Sequence, residues 1–242
     1  MKKILLSILM FSGLVTIASC EKKVTTEDPS TITHYVIFEL NGDKIMFVPL
    51  NSKFTDPGVE ASENGVDVKD KVQVSYSDAL GEPLSAIDVT TPGAYNIYYS
   101  AVNVDGFPAS GKRVVVVYDP SSRTDVDLSG NYVTATGTHR DNRKGTLTAF
   151  DGYKVTISNM GNGVFYISDI LGGYYAQRAG YGSNYSMPGY ISVNEDYSLN
   201  VISGTVAGWG DSYDSFAGTF DPATGTISYD CVYAGMDFYV IL

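Results

Sequence analysis

From Ile32 onward, apolar and polar residues alternate in short runs with the two-residue period of half-buried strands. Val36, Phe38 and Leu40 alternate with Tyr35, Ile37 and Glu39, and Asn41-Gly42 follows. That dipeptide tolerates positive φ, so it predicts a hairpin returning through Ile45-Met46-Phe47-Val48. Val72, Val74 and Tyr76 alternate with polar neighbours. Tyr95, Ile97, Tyr99 and Ala101 do the same before Asp105-Gly106 turns the chain into Val114–Tyr118. Several short strands separated by turn signals predict a β-sandwich over residues 32–118.

Asp119 to Leu128 is rich in Asp, Ser and Pro and reads as a linker. A second block, residues 129–242, is again all strand, with abundant glycine and tyrosine. Val155 and Ile157, Val164 to Ser168, Leu199 and Val201, and the closing Met236, Phe238, Val240 and Leu242 carry the pattern. Roughly eight or nine short strands are predicted, with no helical period. A meander of that size must close or pair its edges, so an antiparallel β-barrel of lipocalin-like or calycin-like shape is expected, with a second sandwich as the alternative.

The first twenty residues follow a different rule. Met1-Lys2-Lys3 is basic, Ile4 to Ile17 is apolar but short for a membrane span, and Ala18-Ser19 lead directly to Cys20. This segment resembles the lipobox of bacterial lipoproteins. The resemblance implies a cleaved signal peptide (1–19) and a lipid on the Cys20 sulfur that anchors the chain to a membrane. Residues 20–31 then read as a polar tether.

Charge narrows the partners. Cleavage removes Lys2 and Lys3 from 16 basic residues, leaving 14 against 27 acidic ones, a net charge of −13. No Lys or Arg follows Arg178, while seven acidic residues do. Nucleic acid and other polyanions are poor partners for such a surface. With Cys20 acylated, Cys231 is the remaining cysteine, and it shares a face with Ile227, Tyr229 and Tyr233. That placement predicts a buried structural thiol.

Candidate chemistry is aromatic. Thirteen of the 19 tyrosines lie in the second block, and five fall between Tyr174 and Tyr190. The run Gly172 to Tyr185 is too rich in glycine to be wholly core. Tyr174, Tyr175, Tyr181 and Tyr185 are therefore candidates to present flat faces to sugar rings, with Gln177, Asn184 and Asp169 supplying hydrogen bonds. The only tryptophan, Trp209, sits between Gly208 and Gly210, followed by Asp211 and Tyr213, and forms a second candidate segment. The competing expectation is a tyrosine-rich wall with a packed indole. His34 and His139 lie in different blocks, and no nucleophile elbow, phosphate loop or zincin motif occurs. No catalytic residue, metal or cofactor is assigned.

Phe54-Thr55-Asp56-Pro57-Gly58-Val59, Thr91-Pro92-Gly93-Ala94-Tyr95 and Val104 to Ser110 resemble the immunoglobulin-like modules of Bacteroidetes surface lipoproteins. In such a module Tyr95 is placed to anchor its corner through the hydroxyl. Ser168 to Ala176 and Thr224 to Tyr229 resemble the C-terminal domain that follows this module in a family of gut Bacteroidetes lipoproteins. That resemblance implies an outer-membrane, lipid-anchored protein, at the cell surface or on the periplasmic face, of the kind found in glycan-utilisation systems. The function expected is non-catalytic binding of a neutral glycan through aromatic residues. The alternatives are a structural or protein-interaction subunit of an outer-membrane complex, or a barrel holding a small apolar ligand.

Overall fold

The computed structural model describes residues 32–242. Cys20, the signal peptide and the 20–31 tether lie outside the described residues. From His34 to Leu242 the chain is one compact, nearly all-β unit.

Its N-terminal part is the expected immunoglobulin-like sandwich. The strands are β1 (Val36–Leu40), β2 (Ile45–Pro49), β3 (Val59–Glu63), β4 (Val66–Asp67), β5 (Gln73–Ser77), β6 (Pro83–Leu84), β7 (Gly93–Val102) and β8 (Pro108–Tyr118). One sheet runs β1-β3-β4 and the other β2-β8-β7-β5-β6. Phe38, Leu40 and Val59 from the first meet Val48, Tyr95, Ile97, Tyr99, Val115 and Val117 from the second. Tyr95 makes the anticipated corner, its hydroxyl donating to Thr91 O at 2.9 Å.

The hairpin expected at Asn41-Gly42 does not form. β1 pairs with β3, and β2 pairs in parallel with β8, Ile45 opposite Val114 through Pro49 opposite Tyr118. The turn is real, with Gly42 at φ 79°, but it carries the chain from one sheet to the other. Arg113, 0 % exposed, holds that crossing. Its Nη2 donates to Asn41 O (2.8 Å) and Gly58 O (3.0 Å), and its Nε donates to the Tyr99 hydroxyl and lies 3.5 Å from Asp56. Asp56 in turn accepts from Tyr99 at 2.7 Å. A buried cation is tolerated only when paired and hydrogen-bonded in this way.

The C-terminal part is a curled antiparallel sheet of half-barrel form. It contains eleven strands, more than the alternation alone resolves: β9 (Gly130–Val133), β10 (His139–Asp141), β11 (Leu147–Ala149), β12 (Lys154–Asn159), β13 (Val164–Ile167), β14 (Gly189–Val193), β15 (Ser198–Val206), β16 (Asp211–Ser212), β17 (Ser215–Asp221), β18 (Thr226–Tyr233) and β19 (Met236–Ile241). The order is β11-β10-β19-β18-β17-β15-β14-β13-β12-β9, with β16 on β15. One core fills this sheet: Val155, Ile157, Phe165, Ile167, Ile191, Ile227, Tyr229, Cys231, Phe238 and Val240, with Ile170, Leu171 and Met187 from the β13–β14 loop. A barrel for a small apolar ligand would need that space empty. Tyr132 forms a second tyrosine corner, donating to Leu128 O at 2.7 Å.

The two parts share an apolar contact. Along β8, Val115 and Val117 enter the sandwich core, while Val116 and Tyr118 point the other way onto Val164, Tyr190 and Ile202. The continuous apolar run Val114–Tyr118 is thus explained by burial on both faces. Phe47 meets Tyr190 edge-on at 6.1 Å. The segment between is pinned as well: Arg123 N donates to Val193 O at 2.8 Å, its guanidinium lies 4.3 Å from the Tyr197 ring centroid, and Leu128 is buried.

Candidate functional site

The β13–β14 loop (168–188) carries four of the candidate tyrosines, and one buried carboxylate fixes its base. Asp169 accepts from Leu171 N (3.0 Å) and Met187 N (3.0 Å) through Oδ1 and from Gly173 N (3.2 Å) through Oδ2. Both feet of the loop are thereby tied to one side chain. Asp169 is 2 % exposed, so it cannot hydrogen-bond a surface sugar as its sequence position suggested. Burial raises its pKa to about 6, against the opposing pull of the three N–H donors.

Above that base lie a single π-helical turn (Tyr174–Arg178) and a 3₁₀ turn (Ser183–Tyr185). They divide the candidates. Tyr174 turns inward and is 6 % exposed, edge-on to Phe150 at 5.1 Å and to Phe238 at 5.3 Å. Gln177 bridges back to β12, accepting from Lys154 N (3.0 Å) and donating to Lys154 O (2.7 Å). Tyr174 is thus part of the core, whereas Gln177 stays exposed with its amide engaged on the Lys154 backbone.

The remaining rings converge. Tyr181 is 55 % exposed and Trp209 43 %, and with the half-buried Tyr185 they line an open depression of about 280 Å³. Ring centroids are 4.7 Å apart for Tyr185–Trp209, 5.6 Å for Tyr181–Tyr185 and 6.2 Å for Tyr181–Trp209. Beneath them Tyr175 packs edge-on to Trp209 at 4.9 Å and stacks on Tyr181 at 6.1 Å. Tyr233 lies 6.1 Å from Trp209, and its hydroxyl donates to Asp211 at 2.7 Å. Burial, together with that neighbouring carboxylate, pushes the Tyr233 hydroxyl pKa upward. Offset and edge-to-face contacts of this kind fix ring orientation without polar bonds.

The two segments meet through Gly208, whose N–H donates to Asn184 O at 2.7 Å. A Cβ at Gly208 would fall 2.6 Å from Tyr185 Cε1, so only glycine permits this approach. Asn184, whose carbonyl makes that bond, is exposed. Asp211 sits behind them, committed to Tyr233. Tyr213 does not join the group. It lines a separate depression between the two parts of the molecule, with Ser212, Gly204, Pro92 and Tyr95. Tyr190, the last tyrosine of the run, is buried against Phe47.

Tyr233 is the member that sequence reasoning missed. Its alternation with Cys231 and Tyr229 marked it as core, and nothing local showed its ring reaching Trp209. Cys231 itself is buried, and burial pushes its thiol to about 12, far from a nucleophile's range. Among the described residues no group of three or more His, Cys, Asp or Glu side chains is placed to hold a metal ion.

An immunoglobulin-like sandwich leading into a curled antiparallel sheet makes a two-module, sheet-built protein. A model described as a bacterial surface protein, Ig-like domain matches residues 38–117, and a C-terminal-domain family model matches residues 121–242. The chain is 39 % identical to the lipoprotein BT2262 from Bacteroides thetaiotaomicron, over 86 % of this chain and 98 % of that one, with a TM-score of 0.45. It belongs to that lipoprotein family. Two structures of Clostridium perfringens ZmpB also overlap it at 15 % identity. One holds CBM51-2 in complex with GlcNAc and INT domains (TM-score 0.29, 55 % of this chain and 29 % of that one). The other holds the M60 catalytic domain with CBM51-1 and CBM51-2 (TM-score 0.30, 57 % and 14 %). At those scores the overlap carries no argument. No match was found among curated proteins.

Proposed function

We propose that this protein is a non-catalytic surface lipoprotein that binds a neutral glycan through Tyr181, Tyr185 and Trp209, with Tyr175 and Tyr233 as the floor. A lipid on Cys20 holds it at the outer membrane, facing the exterior. The sandwich of residues 32–118 is a spacer, joined through 119–128 to the binding domain, 129–242.

One observation carries the reading. Two large rings from two different loops, Tyr181 and Trp209, stay substantially exposed side by side. Exposed aromatic surface is unfavourable by about 25 cal/mol per Å² of apolar area, and a clustered patch of it marks a contact site. Sugar rings present C–H faces that pack on such rings, while their hydroxyls reach polar groups such as Asn184.

Retention of the full-length chain, purified in detergent, on immobilised neutral polysaccharides tests the proposal. Trp209→Ala and Tyr181→Ala are each expected to weaken retention at least about tenfold with the far-ultraviolet spectrum unchanged, as for central aromatic contacts elsewhere. Failure of the folded protein to be retained by any neutral glycan defeats it.

A further inference from the structure

The arrangement of the three rings says more than that they bind sugar. Resting on the carbohydrate reading above, we infer that the Tyr181–Tyr185–Trp209 corner takes one terminal sugar ring of a glycan, and not a stretch of the chain's interior.

Two features of the geometry point to this. First, the planes do not lie along a common strip. Trp209 and Tyr181 meet at 84°, Tyr181 and Tyr185 at 73°, and Tyr185 and Trp209 at 61°. Successive sugars of an extended chain need faces that share a direction, whereas three mutually steep faces make a corner with a single occupant. Second, the rings touch one another, with centroids no more than 6.2 Å apart, so they offer one contiguous contact patch and not a row of separated platforms for successive sugars.

The corner is also preformed. Trp209 is packed edge-on against Tyr175 at 83°, and Gly208 ties its turn to Asn184 O. Opening the corner into a longer groove would separate these contacts and break that hydrogen bond. The depression lined by Tyr213 is a separate place between the two parts of the molecule and does not extend this one.

The test uses the full-length chain in detergent and Trp209 as its reporter, since it is the only tryptophan. Probes are glucose, galactose, mannose and N-acetylglucosamine, with linear homo-oligomers of each up to the hexamer. For the sugar that shifts Trp209 emission, the monosaccharide is expected to bind within about threefold of its hexamer, because added units lie outside the corner. Tyr181→Ala is expected to weaken binding of both at least tenfold. Affinity that climbs beyond about threefold from monosaccharide to hexamer overturns the terminal-ring inference while leaving the carbohydrate reading intact. Silence towards every probe from folded protein that a neutral polysaccharide still retains overturns the terminal-ring inference alone, and silence together with no retention on any neutral polysaccharide overturns both.

Discussion

Replacing Asp169 with asparagine tests what holds the aromatic loop in place. Two effects compete at this carboxylate. Three backbone N–H groups favour its charged form, and burial favours its neutral form; burial wins, raising the pKa from 3.8 to about 6. A folded-state value above the unfolded one means that the native protein holds this proton over a range where the unfolded chain has released it. The contribution to stability is therefore fully present below pH 4 and is lost as pH rises through about 6. At 1.36 kcal/mol per pK unit, a shift of about two units corresponds to about 3 kcal/mol between those limits. Asp169→Asn cannot titrate, so the stability of wild type minus variant is expected to fall by roughly that amount between pH 4 and pH 7. Urea denaturation of both proteins at half-unit pH steps reads it directly, since paired measurements cancel the other carboxylates. A difference that stays flat would mean the N–H donors balance burial, and one that rises with pH would mean they outweigh it; either refutes the reasoning.

Three further substitutions separate the fold from the site. Gly208→Ala places a Cβ 2.6 Å from Tyr185 Cε1 and 3.0 Å from Asn184 O. It is expected to shift Trp209 emission, to reduce glycan retention and to destabilise by about 1–3 kcal/mol; an unchanged spectrum contradicts the geometry. Tyr132→Phe removes the 2.7 Å hydrogen bond to Leu128 O and is expected to lower stability by about 1 kcal/mol in urea without touching glycan retention. Arg113→Met strands Asp56 and the Asn41 and Gly58 carbonyls in the sandwich and is expected to cost about 3–5 kcal/mol by thermal or urea melting; a loss under about 1 kcal/mol would show that the crossing is held by other means.

What the sequence disclosed was largely what neighbouring residues decide. The alternation of Tyr95, Ile97, Tyr99 and Ala101 set the buried face of β7, and the Tyr95 corner spans four positions, a local relation. Tyr132 obeys the same spacing to Leu128 and was legible by the same rule, though its glycine-rich setting hid it. Asn41-Gly42 shows where such rules stop. The dipeptide reports that the chain turns, but β2's partner is β8, far along the chain, chosen because Ile45 and Phe47 are needed against Val164 and Tyr190. At the candidate site, composition singled out two segments that the structure brings together at Gly208 and Asn184. Which rings face outward depends on Asp169 joining both loop feet and on Phe238 and Tyr233 occupying the space beneath, none of which local pattern encodes.

The strand β8 has a mechanical consequence. With Val115 and Val117 turned one way and Val116 and Tyr118 the other, it is a wall common to both modules. Cutting the chain after it would strip each half of that wall and leave two sticky flanks. Force applied to the C-terminal module is likewise passed on across a broad face, not down one thread of backbone, so the load is shared by the whole body at once.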